Sequence, residues 1–219
     1  MLDTEVIETG HNPRTTVIVL HGLGDSGHGF VPVCGELDLR SLGAVRFILP
    51  HAPERPVTIN GGYVMRAWYD ILGADLVRRE DEAGLRESVR QITELIDAER
   101  QRGVAANRIV LVGFSQGCAM ALMTALRYPE RLGGVAGLSG YLPLAATTAA
   151  ERSAANTDLP VFLAHGSQDP VVVLARGTAS RDALVALGHQ VEWHDYPMPH
   201  SVCMEEINDL NAWLLTQLG

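Results

Sequence analysis

The sequence predicts an α/β fold, a mostly parallel central sheet of about seven strands with helices on both faces. Three observations predict it. Short apolar runs alternate with amphipathic stretches along the chain, the pattern of strands joined by covering helices. The strongest runs are apolar throughout rather than every second residue, as strands buried on both faces are. One of them, 108–112, leads through Gly113-Phe114-Ser115-Gln116-Gly117 into an Ala-rich stretch from Cys118 to Leu126, and together these read as strand, sharp turn and helix.

The elements follow in order. The first strong strand is Thr16–Leu20, followed by the glycine-rich His21-Gly22-Leu23-Gly24-Asp25-Ser26-Gly27 and a helix expected around 31–39. A second strand, 45–49, runs into Pro50-His51-Ala52-Pro53. From Pro50 to Asp81 periodicity is lost and Pro53, Pro56, Gly61, Gly62 and Gly73 appear, with Tyr63, Met65, Trp68 and Tyr69 among them. Long irregular segments in compact domains usually carry function, so this one is a candidate pocket wall, with a loop pinned by a few buried side chains as the equal alternative. An amphipathic helix with Leu85, Val89, Ile92 and Ile96 on one stripe and Gly103 as its stop leads to the strand before Gly113. Beyond it come a small-residue strand at 134–138, a stretch at 145–158 that reads equally as helix or loop, and a strand at 160–164. A helix at about 172–187, a strand at 190–196 and a final amphipathic helix with Ile207, Leu210 and Leu214 complete the chain.

With 219 residues, 47% of them hydrophobic and 20% charged, one domain over residues 1–219 is expected. A chain of this length can bury roughly 70% of its extended surface. Seventeen basic against 26 acidic residues, net charge -9, argue against a nucleic-acid partner, which needs clustered Lys and Arg. No basic segment followed by an apolar run opens the chain, and no stretch approaches the ~20 apolar residues of a bilayer span. A cytoplasmic protein without a membrane span is expected. Cys34, Cys118 and Cys203 lie far apart with no C-x-x-C, so reduced thiols are expected rather than a disulfide or zinc site.

The loop after the first strand contains G-x-G-x-x-G. A dinucleotide fingerprint also needs an acid near the end of the next strand, and Pro50-His51-Ala52-Pro53 stands there instead. A G-x-S-x-G between strand and helix is a nucleophile elbow, and its usual companion is a loop after an early strand that supplies one backbone N–H to an oxyanion hole. The donors here would be Leu23 and Gln116. A serine nucleophile needs a base within hydrogen-bond reach and a carboxylate that orients the base, and open α/β sheets gather such groups at the carboxyl ends of their strands. Asp169 follows the 160–164 strand and His200 follows the 190–196 strand, giving the order Ser115, Asp169, His200. Asp195 competes with Asp169 through its nearness in sequence to His200. Of the other histidines, His21 reads as a structural histidine after a strand rather than as a brace of the loop it begins.

The run from His21-Gly22-Leu23-Gly24-Asp25 through Gly113–Gly117 to His165-Gly166, Asp169 and His200 resembles the phospholipase/carboxylesterase family of small α/β-hydrolases. That family includes acyl-protein thioesterases, lysophospholipases and bacterial carboxylesterases. Arg55–Gly62 and Trp68-Tyr69-Asp70 closely resemble the Pseudomonas-type carboxylesterases within it. The resemblance implies an α/β-hydrolase fold without a large cap domain, Ser115 as nucleophile, Asp169 and His200 as its partners, and oxyanion donors at Leu23 and Gln116. It also suggests a homodimer. Two departures are Cys118, where a second glycine is usual, and Pro199, where a glycine commonly precedes the histidine; Cys118 is expected to crowd the pocket floor.

The expected activity is a serine carboxylesterase acting on short to medium acyl esters, small-molecule or lipid, without cofactor or metal. Trp68, Met65 and Tyr63 are the expected substrate contacts. An acyl-protein thioesterase or lysophospholipase with the same three residues is the alternative, and a non-catalytic binding protein on the hydrolase fold is the alternative of another class. Because the oxyanion donors belong to the backbone, side-chain changes at Gln116 are expected to be mild.

Overall fold

A computed structural model describes residues 1–73 and 79–219. Its first half contains β1 (Thr4–Glu8), β2 (Thr15–Leu20), α1 (Val31–Glu36), β3 (Val45–Pro50), β4 (Glu54–Val57), β5 (Tyr63–Arg66), α2 (Glu82–Gln101) and β6 (Ile109–Phe114). The second half adds α3 (Gln116–Arg127), β7 (Gly134–Leu138), α4 (Ala145–Glu151), β8 (Val161–Gly166), α5 (Leu174–Ala186), β9 (Val191–Tyr196) and α6 (Met204–Leu218). Seven strands form one sheet in the order β1-β3-β2-β6-β7-β8-β9, and β4 pairs with β5 in a separate hairpin. Within the sheet only β1 runs antiparallel, against β3.

Alternation along the central strands divides the core in two. Ile18, Leu20, Ile109 and Leu111 face Ile92, Leu95 and Ile96 of α2 and the apolar side chains of α3. Val17, Val19, Val110 and Val112 face Cys34 of α1 and Leu210, Trp213 and Leu214 of α6. This is the period of two that a strand imposes on its side chains, and both faces are covered because parallel strands need crossovers. Along α3 every residue from Gln116 to Leu126 is buried, so the helix that follows the elbow is held on all sides.

Three local expectations are adjusted by the structure. The helix expected over 31–39 ends at Glu36, because Leu37 turns to an extended conformation (φ -81°, ψ 115°). The ambiguous 145–158 stretch contains α4 and a 3-10 turn at Ala154–Asn156. The irregular segment 50–81 holds the β4–β5 hairpin, and its part at 74–78 lies outside the described residues. No helix among the described residues is long and apolar enough to cross a membrane.

Candidate active site

Ser115 sits between β6 and α3 with φ 56° and ψ -117°, a left-handed conformation that costs a non-glycine residue about 1–3 kcal/mol. The two flanking glycines make the turn possible. A Cβ on Gly113 would lie 2.1 Å from the carbonyl oxygen of Gly117, and one on Gly117 would lie 2.0 Å from that of Leu20. The turn is closed by the Ser115 N–H, which donates to Leu138 O at 2.9 Å. Strain, close approach and the buried α3 together aim the hydroxyl out of the sheet's carboxyl edge.

The loops after β8 and β9 are joined to each other. Ser167 N–H donates to Tyr196 O at 2.8 Å and Gln168 N–H to Met198 O at 3.2 Å. Gly166 permits this approach, since a Cβ there would stand 2.4 Å from Met198 O and 2.5 Å from Pro199 O. The result places Asp169 and His200 side by side. Asp169 Oδ1 accepts the N–H groups of Val171 (2.8 Å) and Val172 (2.9 Å), which leaves Oδ2 for His200 Nδ1 at 2.6 Å. A carboxylate can only accept, so Nδ1 carries the imidazole proton and the Nε2 lone pair faces Ser115 Oγ, 3.0 Å away. This is the tautomer that a general base requires. The ring packs against Phe114, with centroids 4.8 Å apart. Asp195 is not a partner of His200; its carboxylate accepts from Trp193 Nε1 at 3.4 Å.

On the other side of Ser115 lies the loop after β2. Its brace is His21, fully buried, whose Nδ1–H donates to Gly22 O (2.7 Å) while Nε2 accepts from Ala52 N–H (3.0 Å). Burial lowers its pKa and holds it neutral, the form this pair of bonds needs. Trp68 Nε1 donates to His21 O at 2.8 Å, and Gly24 N–H to Arg66 O at 2.8 Å. Leu23 and Gln116 both border the cavity beside Ser115, and neither N–H donates to any group among the described residues. Two unengaged donors next to a serine hydroxyl and its base can stabilise a developing oxyanion.

Sequence reasoning missed the side chain of Gln116. It is buried, its Oε1 accepts from Trp68 N–H (3.0 Å), and its Nε2 donates to Tyr69 O (3.0 Å). The first residue of α3 thus clips the irregular segment onto the elbow. Only the pairing of a buried amide with two successive backbone groups reveals this, and no local sequence signal encodes it.

A cavity of about 570 Å³ opens beside Ser115 and His200, with Ile59, Tyr69, Ile71, Tyr141, Val171 and Val172 as its apolar lining. The segment 50–81 therefore does contribute a wall, but through different residues from those expected. Trp68 is fully buried beneath the cavity, Tyr63 is 69% exposed on the hairpin, and Met65 sits near Asn60, whose Nδ2 reaches its sulfur at 3.6 Å. None of the three lines the cavity. Trp68 and Tyr69 lie in a bend past the end of β5, where Trp68 is wholly buried and Tyr69 borders the cavity. Cys118 also lies elsewhere: it is buried against Gly137 and Gly140, not at the cavity floor, and burial pushes its thiol up to about 12.

Among the described residues one group, Glu5, His28 and His51, gathers ligand-type atoms, with each His Nε2 3.4 Å from Glu5 Oε1. Gly27 N–H donates to His51 Nδ1 (3.1 Å), which assigns the proton of neutral His51 to the Nε2 facing Glu5. That is the bonding of a carboxylate–imidazole contact rather than of a metal ligand.

The family model described as Phospholipase/Carboxylesterase matches residues 2–218. Acyl-protein thioesterase 1 of Mycosarcoma maydis is 46% identical over 231 residues, covering 98% of this chain and 96% of the relative. The Yarrowia lipolytica protein of the same name is 44% identical over 204 residues, covering 91% and 90%. Among solved structures, Zea mays acyl-protein thioesterase 2 superposes with a TM-score of 0.88 at 30% identity, all of both chains being covered.

Proposed function

The chain belongs to the phospholipase/carboxylesterase family and is a serine hydrolase, and from that premise we propose that it cleaves acyl thioesters and related carboxylic esters through an acyl-enzyme on Ser115. The observation that carries this reading is the hydrogen-bonded run from Asp169 through His200 to Ser115 beside an apolar cavity. His200 Nε2 takes the hydroxyl proton as Ser115 Oγ attacks the acyl carbon. The oxyanion rests on the N–H groups of Leu23 and Gln116, each worth on the order of 100- to 1000-fold in rate. The carbon–sulfur or carbon–oxygen bond then breaks, and His200 returns its proton to the leaving thiol or alcohol. Water, deprotonated by His200, attacks the acyl-enzyme, and Ser115 is released with the carboxylic acid.

The sequence expectation put the carboxylesterase ahead of the thioesterase. The curated relatives named acyl-protein thioesterase 1, at more than 40% identity over nearly the whole chain, support the reverse order. The apolar walls Ile59, Tyr69, Ile71 and Val172 suit an acyl chain.

The deciding measurement is kcat/KM on matched oxyesters and thioesters of graded acyl length, together with stoichiometric labelling of Ser115 by a fluorophosphonate. The thioesterase reading expects the thioester to be the better substrate at each length. A clear preference for short oxyesters favours the carboxylesterase, and an unlabelled serine with no turnover of either series removes both.

A further inference from the structure

Tyr141 lies in the segment between β7 and α4, outside the motifs that carry the catalytic reading. It borders the cavity beside Ser115 and also a second recess of about 320 Å³. That recess is walled by Leu142, Leu144, Ala145, Ala179 and Ser180, with Glu80 and Arg176 at its polar margin. The Tyr141 ring is held in place from two directions. Its hydroxyl is 2.9 Å from that of Tyr69, a second buried residue of the cavity lining, and the Arg176 guanidinium stands 5.9 Å from its ring centroid. Leu142, the next residue, is fastened by its N–H to Ser180 Oγ at 2.8 Å. Burial pushes the Tyr141 hydroxyl up to about 12 and holds that of Tyr69 well above the ordinary tyrosine range, so both stay protonated and the bridge between them persists across the working pH range.

We propose that Tyr141 is the partition that ends the acyl cavity, and that its ring sets the longest acyl chain the enzyme accommodates by closing off an apolar recess behind it. The inference rests on the acyl-ester reading of the Ser115 site. Two apolar spaces sharing one aromatic wall become one when the wall is cut back, and nothing in the catalytic geometry depends on that ring. Its hydroxyl bridge orients it, while the bulk of the ring does the excluding. Tyr141 is therefore a specificity-determining residue that touches the acyl tail and not the reacting carbonyl.

The test compares kcat/KM for a series of acyl esters from four to sixteen carbons in the wild type, Tyr141→Ala, Tyr141→Leu and Tyr141→Phe. Each further methylene taken from water contributes about a fourfold factor, so three more would give roughly fifty-fold. Tyr141→Ala is expected to raise the ratio of sixteen-carbon to four-carbon kcat/KM at least about tenfold, Tyr141→Leu to raise it less, and Tyr141→Phe to leave the profile close to wild type. Adding Ala179→Phe, which fills the recess from α5, should return the Tyr141→Ala profile toward wild type and change nothing by itself. A uniform fall at every chain length, or an unchanged ratio in folded Tyr141→Ala or Tyr141→Leu, overturns the proposal. So does failure of both to fold, since a wall between two open spaces can be shortened without collapse. Fluorophosphonate labelling of Ser115 and four-carbon turnover separate this outcome from failure of the acyl-ester reading, which would abolish both in the wild type.

Discussion

Replacing Gln116 with alanine removes a buried amide that answers two backbone groups at once, Trp68 N–H and Tyr69 C=O, each at 3.0 Å. Neither backbone group finds an obvious second partner, because Trp68 is fully buried and Tyr69 is 3% exposed. A buried polar group left without its bond costs about 1–3 kcal/mol, so the substitution should destabilise the fold by roughly 2–5 kcal/mol after partial relaxation. For a chain of this size that is a fall in Tm of about 5–15 °C by calorimetry. The catalytic consequence should be uneven. The proposed oxyanion donor is the backbone N–H of residue 116, which survives, so kcat on a four-carbon ester should stay within about fivefold of wild type. The wall built from Ile59, Tyr69 and Ile71 loses its clip to the elbow, so KM for long acyl chains should rise by about tenfold or more. Gln116→Glu is the sharper control: one carboxylate oxygen still accepts from Trp68 N–H, while the other meets the Tyr69 carbonyl oxygen with no proton between them. A Gln116→Ala protein within about 2 °C of the wild-type Tm, with an unchanged chain-length profile, would refute the reasoning and restore the milder expectation that the sequence alone suggests.

Ser115→Ala should keep the wild-type Tm, or exceed it slightly by relieving interaction with a strained hydroxyl-bearing turn, while turnover of an aryl ester falls by at least about 10⁴-fold. Asp169→Asn should leave a folded protein whose kcat drops on the order of 10⁴-fold, because an amide can present a donor to His200 Nδ1 and so favour the wrong tautomer; near-normal activity would contradict the assigned proton positions. Gly117→Ala places a Cβ 2.0 Å from a backbone oxygen and should prevent folding, whereas Gly35→Ala, within α1 and with nothing within 4 Å of the new Cβ, should be neutral or stabilise by up to ~1 kcal/mol; equal melting temperatures for the two would contradict the close-approach argument. His21 and His189 have pKa values lowered by burial, so they bind protons more readily unfolded than folded: the stability they contribute is present above about pH 6.5 and is lost as pH falls below it, which urea titrations between pH 7.5 and 5 can detect. Glu206 has the opposite sign. Burial raises it to about 8, so its favourable contribution is complete below about pH 4.5 and disappears as pH rises through 8; Glu206→Gln should therefore raise Tm at pH 8.5 more than at pH 5, and an equal effect at both would rule out a titrating carboxyl there.

The amino-acid sequence by itself determined the layer architecture, the elbow and the order of Ser115, Asp169 and His200 along the chain. These are encoded between near neighbours: apolar runs whose period marks strands, glycines two residues either side of Ser115, and Asp169 and His200 each a few residues past a strand. Neighbouring residues cannot encode which side chains meet across the fold. β1 was not legible because its five residues are half exposed and gain their place only by pairing with β3, far along the chain. The cavity wall was legible as a segment but not as residues, since whether Trp68 or Tyr69 faces Ser115 depends on how the backbone from 66 to 70 is pinned. Tertiary structure decided that through Gln116 and His21, which reach Trp68, Tyr69 and Ala52 dozens of residues away. It also decided that Cys118 packs against the glycines of the neighbouring strand end, and that Asp169 rather than Asp195 meets the histidine. In each case the deciding quantity is a distance between chain segments joined by loops. Such distances are set by burial of a whole core and by satisfaction of buried polar groups, terms that come into being only when the chain has folded.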